Sequence, residues 1–332
     1  MKCRICGHQD AGSVGRFMPY LDYAVSVYGC GNCGSRFVSR NSDAYERLHS
    51  DAASTYSKHH SAANDAKSVL ENKAAGDFRH NLLETPKYKY VIDAIEGEDD
   101  IERILEMGCS TGVLGAYFVS RGYKYVGVDV SRTAVEMAKS SFGPHYYVPE
   151  ELPSLDERQY DAIYFVGTIG CVDDPLEFVT QALVKLRPGG ILLFNAPNVE
   201  ACEKFDDIWL SGTMPPDLVN LFDRKIWGRY FGGCAEVTAK IETERPEKVF
   251  KKIVRKMFSG TSVPKAKVNL YTDGLAGGEN ERKEGTTDVV RLRYARGLLS
   301  RVYHRLLDNV LALPLGDRYP SEFGQYIIMR KK

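Results

Sequence analysis

The chain has 332 residues, of which 43% are hydrophobic and 27% are charged, enough for one full α/β domain with smaller attachments. Basic and acidic residues both number 44, so the net charge is zero and a general nucleic-acid binder is not expected. The sequence begins without an apolar signal segment, and no apolar run approaches the roughly 18–20 residues that span a bilayer. We therefore expect a cytoplasmic protein.

The first forty residues carry two CxxC pairs, each able to present two thiolates to one tetrahedral ion. A glycine follows each pair and permits the left-handed backbone of such a turn. Residues 24–28 alternate as a strand, and Phe37 and Val38 begin a return strand. The pattern predicts a structural zinc ribbon, the alternative being four free cysteines without metal. The predicted ligands are Cys3, Cys6, Cys30 and Cys33.

Residues 41–100 are interpreted as a helical linker or cap. The stretch 41–85 is polar and predicts partly exposed helix, whereas residues 87–95 carry apolar side chains at helical spacing and predict a helix over the sheet edge. His59 and His60 lie in the polar part. They are candidates for a functional role, the alternative being solvated surface.

A β-loop-α-β unit occupies residues 101–131. Residues 104–107 predict a buried strand, residues 108–112 a tight loop, residues 113–121 a helix, and residues 125–129 a second strand. The second strand ends on Asp129, about 20 positions beyond the glycine loop. A carboxylate there can accept two hydrogen bonds from a ribose diol, and the loop glycines allow the backbone to approach a ligand.

Later segments continue the same architecture. Residues 160–166 predict the fourth strand, and Asp174 with Pro175 predicts the start of a helix that runs to Leu186. A Pro-Gly-Gly turn then leads into the fifth strand, and residues 325–330 predict a last, antiparallel strand. The predicted fold class is α/β, with a Rossmann-like sheet of seven strands, a small N-terminal zinc ribbon and a helical insertion near the C-terminus.

The loop reads Glu-x-Gly-Cys-Ser-Thr-Gly rather than the GxGxxG of a dinucleotide site. It resembles the first motif of class I S-adenosylmethionine-dependent methyltransferases of the methyltransferase-23 type, with Ser110 in place of the commonest central glycine. The resemblance covers residues 85–242 and 320–332. It implies that Asp129 holds the ribose hydroxyls and that the loop backbone lies beside the methionine part. The implied cofactor-binding residues are Glu106, Gly108, Cys109, Ser110, Gly112, Asp129 and Val130.

Two histidines that many relatives use near the acceptor are replaced here, because Cys171 and Leu218 stand at the matching positions. The sequence therefore leaves the general base open, with either another side chain in that role or orientation alone supplying the rate. The candidates are His59, His60, Asp174, Tyr164 and Asn198.

About seventy residues separate the sixth and seventh strands. Residues 248–258 predict a basic helix, residues 261–287 a polar Gly-rich loop, and residues 289–313 an amphipathic helix with one basic face. The apolar face of the last helix is expected to pack on the main sheet or on a second subunit, as in a homodimer. The alternative is peripheral contact with an anionic membrane at its inner face.

The predicted organisation is a zinc ribbon over 1–40, a linker over 41–100, a methyltransferase core over 101–242, a helical insertion over 243–319 and the last core strand over 320–332. The resemblance implies an enzyme that uses S-adenosylmethionine and O-methylates a sugar, glycan or natural-product intermediate. The alternatives are a zinc-ribbon sugar C-methyltransferase and a non-catalytic Rossmann module that binds or recruits a partner.

Overall fold

The computed structural model describes residues 1–20, 23–39, 78–151, 160–204, 206–210, 215–243, 249 and 320–332. His59 and His60 lie outside the described residues, as does the predicted insertion apart from its first residue and Val249. The homodimer and membrane interpretations of residues 289–313 therefore stay predictions. Among the described residues, no helix is long and apolar enough to cross a bilayer.

Eleven strands lie in the described part of the chain. They are β1 (Ala11–Tyr20), β2 (Tyr23–Cys30), β3 (Arg36–Val38), β4 (Arg103–Met107), β5 (Lys124–Val128), β6 (Tyr146–Tyr147), β7 (Tyr160–Phe165), β8 (Leu186–Ala196), β9 (Asn220–Leu221), β10 (Ala235–Thr243) and β11 (Pro320–Lys331).

Seven α-helices connect or cover these strands within the described ranges. They are α1 (Phe78–Leu83), α2 (Pro86–Glu96), α3 (Val113–Ser120), α4 (Arg132–Phe142), α5 (Pro175–Lys185), α6 (Val199–Lys204) and α7 (Lys225–Phe231). A 3-10 turn occupies Pro149–Glu151. The predicted cap helix and the helix after Asp174 are confirmed as α2 and α5.

The main sheet has seven strands in the order β10-β11-β8-β7-β4-β5-β6. Strand β11 pairs antiparallel with both of its neighbours, whereas β4, β5, β6, β7 and β8 run parallel. The predicted seven-stranded sheet with an antiparallel last strand is confirmed. The chain order reverses between β4 and β7, so a ligand crevice is expected where the carboxyl ends of these two strands diverge.

Both faces of the central strands are buried, because alternate residues of β7 and β8 enter two different cores. On one face, Phe165 stacks on Phe194 at 4.7 Å between ring centroids, and Trp227 of α7 meets Phe194 edge-on at 4.9 Å. On the other face, Tyr164 packs against Phe118 of α3 at 5.6 Å. This double coverage explains why all six residues of β7 are buried and five of them are apolar or aromatic.

The N-terminal region forms a second sheet in the order β1-β2-β3-β9. Its fourth strand comes from the core region, because Phe37 of β3 pairs with Asn220 of β9. The Arg36 side chain adds a hydrogen bond to the Asp207 carbonyl oxygen at 2.7 Å. Cys3, Cys33 and Phe37 share one buried cluster with Trp227, so the N-terminal sheet is packed directly on the core.

A prediction concerns helix α3, where Gly115 leaves room for the ring of Tyr125. A Cβ at position 115 would overlap that ring, so Gly115→Ala should lower the free energy of unfolding by about 1–3 kcal/mol through overpacking. Gly228 of α7 has nothing within 4 Å of its added Cβ, so Gly228→Ala should be neutral or stabilising by up to about 1 kcal/mol. Urea unfolding of both variants tests this, and equal effects would contradict it.

Candidate functional site

The loop between β4 and α3 folds back onto the end of β5. The backbone N–H groups of Gly108 and Cys109 both donate to the Val128 carbonyl oxygen, at 2.7 and 3.0 Å. Gly108, Ser110 and Gly112 all adopt left-handed backbone, with φ of 88°, 48° and 79°. A serine in that region costs more than a glycine, so Ser110 needs a compensating contact.

That contact comes from Asp129, which directly follows β5. Its Oδ2 accepts a hydrogen bond from the Ser110 N–H at 2.8 Å, and its Oδ1 accepts one from the Ser131 N–H at 2.8 Å. The carboxylate is half-buried and stands beside Val130, which is 81% exposed. Each carboxylate oxygen keeps accepting capacity, so Asp129 can order the loop and receive a diol at the same time.

Close packing within the protein also explains why glycine occupies positions 108 and 112, in addition to the approach of a ligand to the backbone. A Cβ on Gly108 would overlap the Thr168 side chain, and one on Gly112 would lie 2.5 Å from Cε1 of Tyr146. Thr168 follows β7, so Gly108 marks where the loop touches the neighbouring strand end. The predicted ligand-facing residues of the loop therefore lie at the crevice between β4 and β7.

Glu106 lies beneath the loop rather than at its surface, being 4% exposed. Its Oε2 accepts hydrogen bonds from the Tyr125 hydroxyl at 2.5 Å and from the Tyr164 hydroxyl at 2.9 Å. Burial raises the pKa of Glu106 to about 8, with the two tyrosine hydrogen bonds opposing the shift. Tyr164 is itself fully buried, which makes it a support for Glu106 rather than a residue facing an acceptor.

The other predicted candidates occupy structural positions at the same edge. Asp174 is exposed and caps α5, its Oδ1 accepting from the Glu177 N–H at 3.1 Å. Asn198 is fully buried, and its Oδ1 accepts from the Glu200 N–H at 3.0 Å. Its Nδ2 has no hydrogen-bond partner within the described ranges. None of these groups is arranged as a base beside the glycine loop.

Cys171 and Leu218, which replace the two histidines, lie on either side of Gly170. The Cys171 thiol is half-buried and donates to the Gly167 carbonyl oxygen at 3.7 Å. Leu218 is buried so closely against Gly170 that a Cβ there would overlap its Cδ1. The segment after β7 is therefore packed with small and apolar groups.

Lys87 lies close to this crevice and was not among the residues that the sequence indicated. It is half-buried at the start of α2, and its Nζ lies 4.0 Å from the position that a Cβ of Gly167 would occupy. Burial lowers its pKa. The sequence feature that could have indicated Lys87 is a lysine in the first turn of a predicted helix, where the positive end of the helix dipole disfavours a cation.

The four N-terminal cysteines converge as predicted, with their Sγ atoms within 4.8 Å of one another. Cys3 and Cys33 are 3.9 Å apart, and Cys6 and Cys30 are 3.6 Å apart, too far for disulfides. Four thiolates at the usual zinc–sulfur distance of about 2.3 Å would be separated by about 3.8 Å in a tetrahedron.

The surroundings of this cluster are those of a metal-binding turn. Gly7 and Gly34 both have φ of 73°, and their N–H groups donate to the carbonyl oxygens of Cys3 and Cys30 at 2.9 Å. The hydrogen bond with Cys3, followed by burial, raises the pKa of Cys33. A bound dication would reverse that shift, because it favours the thiolate.

The buried acid predicts a pH dependence of stability. Below its unfolded pKa of about 4.5, Glu106 is protonated in both states, whereas between about 4.5 and 8 the unfolded state ionises first. Stability of the wild-type protein should therefore fall as pH rises through this window, relative to Glu106→Gln, by on the order of a few kcal/mol. Urea unfolding of both proteins at pH 5 and pH 8 tests this, and a difference independent of pH would contradict it.

Comparison with known proteins finds a matching family model and several related sequences. A family model described as a methyltransferase domain matches residues 68–233, half of the chain. Over 116 residues the chain is 28% identical to a ubiquinone biosynthesis O-methyltransferase of Alkalilimnicola ehrlichii, covering 33% of this chain and 47% of that protein. The corresponding Coxiella burnetii protein is 24% identical over 124 residues, covering 36% and 52%. The chain thus spans about half the length of these curated relatives.

Solved structures resemble the chain at low identity. A SAM-dependent methyltransferase from Archaeoglobus fulgidus is 15% identical, with a TM-score of 0.41, covering 74% of this chain and 92% of that one. The YcgJ protein from Bacillus subtilis is 16% identical, with a TM-score of 0.40, covering 74% and 97%.

The sheet order reverses between β4 and β7, and the glycine loop meets Asp129 at the crevice between these strands. The family model matches a range that includes β4, the glycine loop, Asp129 and β7. The chain belongs to the S-adenosylmethionine-dependent methyltransferases.

Proposed function

We propose that this methyltransferase transfers its methyl group to an oxygen of a sugar, glycan or natural-product intermediate. The curated relatives are named as O-methyltransferases, which supports an oxygen acceptor. The sugar or natural-product class rests on the combination of this core with an N-terminal cysteine cluster. The observation that carries the enzymatic role is the Asp129 carboxylate, which closes the glycine loop and keeps further accepting capacity on both oxygens.

The described residues fit S-adenosylmethionine. Asp129 would accept the ribose hydroxyls, Val130 would lie against the adenine side, and the loop from Gly108 to Gly112 would border the methionine part. Bound there, the cofactor supplies an electrophilic methyl group on a sulfonium. The protein's contribution is to hold an acceptor at the carboxyl end of β7, because in-line orientation alone can supply several kcal/mol.

We further propose that the cysteine cluster binds one structural zinc. The donor set is four thiols with no open position, which suits a structural site. The zinc would fix β3 through Cys30 and Cys33, and β3 pairs with β9. The Asn220 side chain of β9 donates to the Val172 carbonyl oxygen at 2.7 Å, so the metal would brace the segment that follows β7.

The acceptor class is open to a direct test. The wild-type protein incubated with S-adenosylmethionine and the small-molecule fraction of a cell extract should form S-adenosylhomocysteine, with the methyl group on oxygen of the product. Mass spectrometry of the methylated product, with a labelled methyl group, identifies the acceptor. A methyl group on carbon would support the sugar C-methyltransferase alternative, and no turnover would support the binding-module alternative.

Replacing the ribose acceptor should weaken cofactor binding. Asp129→Ala should lower affinity for S-adenosylhomocysteine about 10- to 100-fold, because a charged hydrogen-bond acceptor contributes about 1.5–3 kcal/mol. Isothermal titration measures the change. Asp93→Ala is the control, since Asp93 is an exposed partner of Lys89 on α2. Unchanged affinity in Asp129→Ala would remove Asp129 from the site.

The proposed zinc site is tested by measuring the metal content of the protein and of two cysteine variants. Purified protein should contain one zinc per chain, and Cys30→Ser should lose it with a fall in thermal stability. Cys234→Ser should keep it, because Cys234 is exposed and outside the cluster. A wild-type protein without metal whose melting temperature is unchanged by a chelator would disprove the zinc site.

A further inference from the structure

Helix α2 holds one lysine over the carboxyl edge of the main sheet. The helix is anchored by Val91, Ile92 and Ile95, which are buried, and by Tyr90, whose ring lies 4.5 Å from that of Tyr326 on β11. These contacts fix its orientation. Its second residue, Lys87, consequently projects toward the segment that follows β7.

Lys87 is electrostatically unfavourable where it stands. Its Nζ makes no hydrogen bond or ion pair within the described part of the chain, and its contact is with the Tyr88 ring, at 5.4 Å from the centroid. It is half-buried, burial lowers its pKa, and it occupies the positive end of a helix. Lys89, two residues later, is by contrast exposed and paired with Asp93.

The position of Lys87 relates it to the reacting centre. Its Nζ is 4.0 Å from the Cβ position of Gly167, which is exposed, and the next residue, Thr168, packs on Gly108 of the cofactor loop. Burial first, and then the charge of Glu106, raises the pKa of Tyr88 to about 12, so the start of α2 lies within electrostatic reach of the site. Lys87 thus lies beside the segment after β7 that packs on the cofactor loop.

We propose that Lys87 contacts the methyl acceptor and pairs with its nucleophilic oxygen in the anionic form. The inference rests on the proposed function, since it requires an oxygen acceptor. An anion beside Lys87 would supply the counter-charge that the described residues do not provide, and a cation there would stabilise an alkoxide, phenolate or carboxylate oxygen.

The methyl transfer can proceed whether Lys87 starts as the neutral amine or as the ammonium. A neutral amine that takes the proton of an acceptor hydroxyl, and an ammonium that meets an acceptor already ionised, both give the same ammonium–oxyanion pair. The oxygen lone pair then forms the O–CH₃ bond, and the C–S electron pair stays on sulfur, leaving S-adenosylhomocysteine. A Lys87 that began as the neutral amine then releases the acceptor's proton to solvent, whereas a Lys87 that began as the ammonium keeps its own proton. This role would replace the histidines absent at positions 171 and 218.

The first test compares two lysines of one helix. With S-adenosylmethionine and the small-molecule extract, Lys87→Met should form S-adenosylhomocysteine roughly 100-fold or more slowly than wild type, and Lys89→Met should match wild type. Titration should show unchanged affinity of Lys87→Met for S-adenosylhomocysteine. Wild-type turnover in Lys87→Met overturns the role of Lys87 and leaves the proposed function intact, whereas no turnover by the wild-type protein overturns the proposed function itself.

The second test does not depend on turnover. Wild-type protein saturated with S-adenosylhomocysteine is acetylated with limiting acetic anhydride, and mass spectrometry compares Lys87 with Lys89. Millimolar benzoate should slow acetylation of Lys87 several-fold without affecting Lys89, whereas benzamide, the neutral analogue of similar shape, should have little effect. Equal effects of benzoate and benzamide would overturn the oxyanion contact, because a purely structural lysine would not distinguish them.

Discussion

The arrangement of this site depends on the hydrogen bond from the Ser110 N–H to the Asp129 carboxylate. It ties the glycine loop after β4 to the end of β5, and it stabilises left-handed backbone at a residue that has a side chain. Without it the loop would lose both its shape and its contact with Asp129, the acid that we propose receives the ribose. In the proposed site, binding of the cofactor and folding of the loop would therefore be linked through one carboxylate.

A second constraint joins the N-terminal sheet to the catalytic edge. Strand β3, which follows Cys33, pairs with β9, so the cysteine cluster is linked to the 215–222 segment. Strand β9 in turn contacts the segment after β7 through the Asn220 side chain. Gln325 completes this link, since it accepts from the Trp227 indole at 2.7 Å and donates to the Phe222 carbonyl oxygen at 3.2 Å. A metal in the ribbon would thus influence acceptor binding without touching the acceptor.

One buried acid and one half-buried lysine lie at this edge, and their environments differ. Glu106 is fully enclosed and is satisfied by two tyrosine hydroxyls, which makes it part of the scaffold under the loop. Lys87 is only half-buried and meets an aromatic ring and a glycine, without an ion-pair partner in the described residues. Burial with satisfied hydrogen bonds is typical of structure, whereas burial without a counter-charge is typical of a group that awaits a ligand.

The sequence by itself determined the features that contiguous residues encode: the strand, glycine loop and acid from Glu106 to Asp129, the cap at Asp174 and the two CxxC turns. Each depends on backbone conformation or short spacing, and these are local properties. Only the tertiary structure decided that Tyr164 supports Glu106, that β9 completes the ribbon sheet and that Lys87 faces Gly167. Those contacts join residues 58 to 185 positions apart, and no local pattern specifies which distant groups meet when the two sheets pack.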